Sequence, residues 1–474
     1  MNEFPPDQAI DDAEAPARAL ALQRSAYLRD GNPGREKRIE LLDALIRMVR
    51  RAKEDLADAI SADFGHRARP ETMLAEVAPV LDGIAATRRR LGRWMRPERR
   101  HVSLNFQPGR AWIEYLPVGV VGIVASWNYP LFLTAGPLID ALAAGNRVTI
   151  KPSEITPRFS ALFAQTVEET FDPEWVTVVT GGPDVAAAFC AQPWDHLLYT
   201  GSTAVGRKVA QAAAENLTPV TLELGGKSPA IVAPDYDVMA AARSIAVGKF
   251  FNAGQTCIAP DYVLIGRGRA ESFAQAVLVQ ARKMYPRIAG NPDFTSIVSE
   301  RHYARLSELL GEVERAGARV MRFEESMNDR RMEPTIVLDA PAESRLMREE
   351  IFGPILPVIA TDGLAGAIDY VNAQPRPLAL YAFTRDRATE RHILGRTISG
   401  GVTINGTMLH CALHDLPFGG VGPSGMGAYH GRDGFIRMSH ARAHYKPGAF
   451  TALEMLAPPY GRNMKLALRW LVGK

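Results

Sequence analysis

Three residues in separate motifs are of the types needed for nucleophilic chemistry on a carbonyl. Cys257 lies in "FFNAGQTCIAPDY", where no neighbour is charged before Asp261. Free cysteine is among the most buried residue types, so this thiol could simply fill a core. It could instead be a nucleophile, if the chain also supplies a base, donors for developing negative charge and a ligand site. In "TLELGGKSPAIV", Glu223 stands between leucines and before Gly225 and Gly226. A partly desolvated carboxylate there would be raised towards neutrality and could act as a base; a structural bridge to a lysine such as Lys227 is the alternative. In "IVASWNYPLFL", Asn128 sits in an otherwise apolar loop. Its amide could donate to an oxyanion or hold a turn.

Other motifs point to a ligand site. In "LLYTGSTAVGRKVAQ" an apolar strand ends at Thr200, and the loop Gly201, Ser202 to Gly206 leads into a helix, so free amides converge as a phosphate would require. The G-x-x-x-x-G spacing is neither the usual dinucleotide fingerprint nor a P-loop, and an ordinary strand-to-helix turn fits it equally well. "IKPSE" adds Lys151 and Glu154 at another strand end, where an ammonium and a carboxylate could hold ribose hydroxyls. "EEIFGPILP" and "LPFGGVGPSGMGAYHG" are glycine-rich turns carrying Glu350, Phe352 and Phe418; glycine suits close backbone approach. "HCALH" offers His410, Cys411 and His414, but a zinc site needs three or four converging ligands, so a loop at a substrate entrance is preferred and no metal is expected.

The elements that must position these residues are legible from periodicity. Ile39, Leu42 and Ile46 recur at helical spacing, predicting a helix from about Pro33 to Phe64; "ETMLAEVAPVLDGIAATRRRLGRWM" reads as a second. Val102, Leu104 and Phe106, then Ala111, Ile113 and Tyr115, alternate about "QPG", predicting a hairpin that needs another sheet edge or subunit. "VVGIVAS", "RVTIK", "VTVVTG" and "HLLYTG" are apolar strands with helices between them, as in a parallel α/β sheet. A second set runs from "SPAIVAP" to "VTIN", with a boundary expected near Glu223 to Lys227.

The uncharged run Tyr115–Ile139 is long enough for a membrane span, but prolines and valine-glycine content favour strand, loop and helix. The basic amphipathic end "NMKLALRWLVGK" is expected to pack against the body rather than lie on lipid. The 474 residues exceed the usual size of a single core, predicting two large domains. With 55 Lys+Arg against 52 Asp+Glu, the net charge of +3 argues against a nucleic-acid partner. The arginine cluster near Arg88–Arg90 lacks interleaved aromatics for base stacking and reads as a solvated helix end. Three scattered cysteines suit a reducing compartment, and "MNEFPPDQAIDDAEAP" lacks the apolar core of a secretory signal, so a cytoplasmic location is expected.

Taken together, "SWNYP", "KPSE", "GSTAVG", "ELGGKSP", "GQTCIAPDY", "EEIFGPILP" and "PFGGVGPSGMG" occur in the order of the aldehyde dehydrogenase superfamily. The sequence strongly resembles that family, and "CIAPDY" with "GPSGMGAYHG" resembles its class 3 branch, which includes fatty-aldehyde and coniferyl-aldehyde dehydrogenases. The resemblance implies Cys257 as nucleophile, Glu223 as general base, and Asn128 with the Cys257 amide as oxyanion hole. It implies cofactor contacts from Trp127, Lys151, Glu154, Gly201, Ser202, Gly206, Glu350 and Phe352, with Tyr129 and Phe418 lining the aldehyde channel. Ser126 replaces the proline common before the Trp-Asn pair, which would loosen the loop that aims Asn128.

The implied fold is an α/β aldehyde dehydrogenase fold. Residues 1–100 and 117–223 would form a Rossmann-like NAD-binding domain and 101–116 a β-hairpin oligomerisation element with part of the C-terminal region. Residues 224–417 would form an α/β catalytic domain, and 418–474 would return to the first domain and a dimer interface. The implied activity is NAD(P)-dependent oxidation of an aromatic, coniferyl-type aldehyde or a medium- or long-chain aliphatic aldehyde to its acid through a thiohemiacetal and thioester. Two alternatives are transfer of the acyl group to coenzyme A, against which Glu223 argues, and a silent binding relative, which should lack Cys257, Glu223 or Asn128. Glu154 would repel a 2′-phosphate that Lys151 would attract, favouring NAD while admitting NADP.

Overall fold

The computed structural model describes residues 12–323, 325, 329–448 and 458–473. Most of the acidic N-terminal stretch lies outside them. Two large sheets carry the molecule. The first has six strands in the order Gly425–Met426, Val220–Leu224, His196–Gly201, Val120–Val124, Arg147–Lys151 and Val176–Val178, all parallel except the short first one. The second has seven: Arg319–Met321, Thr335–Leu338, Ile355–Thr361, Tyr262–Gly266, Pro229–Val232, Ala379–Phe383 and Gly401–Ile404, parallel apart from the antiparallel first.

The near-continuous apolar runs follow from burial on both faces. In Val120–Val124, Val121 and Ile123 join the core beneath the helices Arg35–Phe64 and Pro130–Ala144. Val120 and Val124 instead pack with Phe189, Trp194 and Val209 on the other side. The uncharged run is thus strand, loop and helix, and among the described residues no helix is long and apolar enough to cross a membrane. The helix expected from Pro33 runs Arg35–Phe64 and buries Leu41, Leu42, Leu45, Val49 and Leu56. The next helical stretch, Arg69–Trp94, contains a π-turn at Met73–Val77.

A third, antiparallel sheet joins Glu98–Arg100, Arg110–Pro117 and Ser439–Lys446. It corrects the expected hairpin. Leu104–Phe106 is a 3₁₀ turn rather than a strand, with Leu104 and Phe106 exposed, and the first strand is Glu98–Arg100, which leaves the first expected domain for this sheet. Phe106 meets the Tyr445 ring edge-on, centroids 6.3 Å apart, from within this turn, whereas Arg110–Pro117 pairs along eight residues with the C-terminal strand. A second correction concerns the chain end. The amphipathic helix Arg462–Val472 leaves Leu466 and Leu468 about half exposed and Val472 78% exposed, so they are not packed against the body as expected.

Candidate active site

In the six-stranded sheet the order reverses between Val120–Val124 and His196–Gly201, which lead to their outer neighbours on opposite sides. Loops leaving the carboxyl ends of strands at such a switch point part and open a crevice. Ser126, Trp127 and Asn128 follow the first strand, Thr200 and Gly201 end the second, and Glu223 lies at the end of the strand beyond. Cys257 reaches the same place from the second sheet. Together they line a cavity of about 310 Å³.

The turn before Cys257 explains its motif. Asn252, Ala253 and Gly254 all have left-handed backbones, with φ of 52°, 50° and 74°. Only the last is a glycine, so the turn stores strain of the kind that accumulates at functional sites. Gln255 holds it: Nε2 donates to the carbonyls of Asn252 and Ser296 at 3.1 and 3.0 Å, and Oε1 accepts from the Val298 amide at 2.9 Å. Cys257 is partly exposed to the cavity yet enclosed by packed atoms. Burial pushes its thiol well above the ordinary value, with Cys411, Glu350 and Glu223 adding.

Glu223 is 3% exposed, and neither carboxylate oxygen has a protein partner. Burial alone pushes it well above the usual carboxylate range. Buried polar atoms are normally paired, so an orphan carboxylate beside a cavity marks a group whose partner comes from outside the chain. Thr200 Oγ1 and Glu350 Oε1 are orphaned at the same cavity, and burial raises Glu350 to about 8. A Cβ at Gly225 would collide with the Glu350 carboxylate, so only glycine allows that approach.

Asn128 is fixed despite Ser126. Its side-chain nitrogen donates to the Gln255 carbonyl at 3.2 Å, leaving its second N–H for a ligand. Its own carbonyl accepts from Arg67 at 3.1 Å and from Asn252 at 3.2 Å. The buried Arg67 also pairs with Glu76 at 2.7 Å, supplied by the π-turn. The other oxygen of Glu76 accepts from the Leu131 and Phe132 amides, capping the helix that follows Asn128.

The cavity gathers Cys257, Glu223, Asn128, Trp127, Gly201, Ser202, Glu350, Phe352 and Phe418. Four expected residues do not line it. Tyr129 turns away to bond Thr256 at 2.6 Å. Lys151 and Glu154 pair with each other at 3.3 Å. Gly206 packs on Leu224 within its helix, whose first turn is capped by Ser202 accepting from the Val205 amide. Residues missed in the sequence include Leu133, His302, Arg305 and Tyr429. Tyr429, an aromatic inside a glycine-rich turn, carried a signal; His302 lay on an ordinary amphipathic helix and gave none. It packs on Trp127 with centroids 5.1 Å apart, and Phe352 packs on the same indole at 5.4 Å. No group of three or more metal-ligating side chains converges among the described residues.

The orphaned atoms, the glycine approach and the helix start fit a nicotinamide dinucleotide next to a carbonyl site. Comparisons with known proteins agree. Residues 9–443 match the model of the aldehyde dehydrogenase family. The chain is 47% identical to the "Probable coniferyl aldehyde dehydrogenase" of Pseudomonas aeruginosa, covering 97% of this chain and 96% of that one. It is 44% identical to the coniferyl aldehyde dehydrogenase of Pseudomonas sp. strain HR199, over 95% and 94% of the two chains. The substrate-bound structure of Staphylococcus aureus AldH superposes with a TM-score of 0.91 at 34% identity, over 96% of this chain and 99% of that one. A cysteine, an unpaired carboxylate and an amide donor meeting at a sheet crevice, within a sequence of this likeness, place the chain in the aldehyde dehydrogenase family.

Proposed function

We propose that this aldehyde dehydrogenase oxidises aromatic, coniferyl-type aldehydes to their acids, with Cys257 as nucleophile, Glu223 as base and Asn128 in the oxyanion hole. The observation that carries the assignment is the meeting of these three side chains at one cavity from three distant parts of the chain. The likeness to coniferyl aldehyde dehydrogenases supports the substrate class.

A thiol held protonated by burial needs a nearby base, and the unpaired Glu223 carboxylate, itself raised, is matched to take that proton. The sulfur then bonds the aldehyde carbon. The free N–H of Asn128 and the Cys257 amide receive the new oxyanion, each such donor being worth about 3 kcal/mol. A nicotinamide dinucleotide, when bound, supplies the acceptor for the hydride that leaves the carbon. Once Glu223 has passed that first proton to solvent, its carboxylate takes a proton from water, whose oxygen attacks the thioester carbon; the carbon–sulfur bond breaks, the acid leaves and Cys257 remains as the thiolate. The residues suited to hold the dinucleotide are Trp127, Gly201, Ser202, Glu350 and Phe352, with Lys151, Glu154 and Gly206 at greater remove. The Glu154 carboxylate, 44% exposed beside Lys151, favours NAD over NADP.

The six-stranded sheet is assigned to cofactor binding and the seven-stranded sheet to catalysis. The three-stranded sheet, with Leu104, Phe106 and Tyr445 exposed on it or its turn, is assigned to a homodimer contact. Three free cysteines suit the cytoplasm.

Burst kinetics test the roles. Glu223→Gln should slow the first turnover and, more strongly, the hydrolysis that follows it, so that a burst of NADH precedes a steady rate lower by about 10²- to 10⁴-fold; a steady rate equal to that of wild type would remove Glu223 from hydrolysis. Cys257→Ala should abolish oxidation and retain NAD binding. Free acid formed without coenzyme A separates hydrolysis from acyl transfer.

A further inference from the structure

The two donors assigned to the oxyanion come from distant parts of the chain. Asn128 lies in the loop after the strand Val120–Val124, and the Cys257 amide lies in the turn after the helix Val238–Phe250. The gap between them is therefore set by whatever ties the loop to the turn. Asn252 makes that tie: its Nδ2 donates to the Asn128 carbonyl at 3.2 Å and to the Gln255 carbonyl at 3.1 Å. The Gln255 carbonyl also accepts from Asn128 Nδ2 at 3.2 Å. Backbone and side chain of Asn128 are thus both bound to the turn, and the ring of bonds closes two residues before the nucleophile.

The surroundings hold Asn252 firmly. It is fully buried, its amide donates to Glu71 Oε1 at 3.0 Å, and the other Glu71 oxygen accepts from the Thr295 hydroxyl at 2.6 Å. Two of its features nevertheless work against stability. Its φ of 52° is left-handed, a conformation that glycine adopts without strain. Its Oδ1 is buried without a protein partner among the described residues, although buried polar atoms are normally paired. The amide orientation is fixed by the network, because only the nitrogen can face two carbonyls. Glycine would remove both unfavourable features and with them the bridge to Asn128.

We propose that Asn252 is a positioning residue for the oxyanion hole: by bridging the Asn128 and Gln255 carbonyls it sets the gap between the Asn128 donor and the Cys257 amide, and it acts on the reaction through Asn128. The bridge supplies the stiffness that Ser126 does not. The inference rests on the assignment of Asn128 as an oxyanion donor and names what aims that donor. Aim matters, since misplacing a reacting group by about 1 Å can cost roughly a hundredfold in rate.

The test is a double-mutant cycle read on the first NADH turnover with coniferyl aldehyde at saturating NAD. Asn128→Ala should slow that turnover by about 10²- to 10³-fold, as loss of one oxyanion donor does. Asn252→Gly should slow its maximum by about tenfold to a hundredfold, while the aldehyde concentration for half-maximal rate changes by less than about threefold. Added to Asn128→Ala, it should slow the reaction by less than about twofold more, because aim cannot be lost where the donor is already gone. A merely structural residue would multiply its loss in both backgrounds. The urea midpoint, NAD affinity by fluorescence titration and the rate at which iodoacetamide alkylates Cys257, located by peptide mass, should all stay near wild type in Asn252→Gly. Asn252→Asp tolerates the same backbone but sets an oxygen against two carbonyls, so it should slow the first turnover at least as much and serves if the glycine variant does not fold. An unchanged first turnover, a loss that multiplies on Asn128→Ala, or alkylation that falls with turnover would overturn the proposal, the last by assigning Asn252 to the nucleophile. Failure of both variants to fold would assign it to the fold and overturn it too. If Asn128→Ala itself leaves the first turnover unchanged, the oxyanion assignment fails and this proposal with it, while Cys257 and Glu223 keep their roles.

Discussion

Glu76 and Glu223 are both buried carboxylates within reach of the reaction centre, yet they are treated in opposite ways. Each oxygen of Glu76 is engaged, one by Arg67 and the other by two helix amides, and through Arg67 it secures the carbonyl of Asn128. Both oxygens of Glu223 are left without a partner. Burial raises both carboxyls, but at Glu76 the Arg67 charge and the amides pull back, while nothing opposes the rise at Glu223. A satisfied buried group holds shape, and an unsatisfied one stays available for chemistry.

The contrast can be broken most forcefully at Glu76. Glu76→Gln leaves Arg67 buried without its counter-charge and should cost about 3–5 kcal/mol in denaturant unfolding; a change below about 1 kcal/mol would mean that the pair does not hold the loop. Arg67→Met combined with Glu76→Gln should recover part of that loss, because it removes the stranded charge. Glu223→Gln, by contrast, should leave stability unchanged or slightly raised, since no partner is lost and an unsolvated acid is replaced.

Glu350 sharpens the point through pH. Its folded value of about 8 lies above its ordinary 4.5, so between those limits the unfolded chain releases a proton that the folded chain retains. Stability should therefore fall as pH rises through this window. Urea midpoints measured from pH 5 to 8 should fall more steeply in wild type than in Glu350→Gln; parallel curves would contradict the raised carboxyl. The smallest effect is expected where an ion pair meets water. Arg267 and Asp362 approach to 3.0 Å, but their side chains are 69% and 82% exposed, so Asp362→Ala should change unfolding by less than about 1 kcal/mol.

Local pattern alone determined much of this protein. Helical spacing of Ile39, Leu42 and Ile46, valine-rich strands such as Val120–Val124, and the ordered motifs around Asn128, Glu223 and Cys257 placed the elements and nominated the chemistry, because periodicity and turn residues act over a few neighbours. Tertiary structure decided the rest. Only the fold shows that Tyr129 faces Thr256 while Tyr429 faces the cavity, or that the strand Arg110–Pro117 finds its long partner more than 320 residues away at Ser439–Lys446. The chain beside His430 does not reveal that its ring will be sealed against Phe132 and Phe418 with both nitrogens unmatched. Satisfaction of a buried polar atom is a property of everything packed around it, and those neighbours are brought together by topology rather than by sequence proximity.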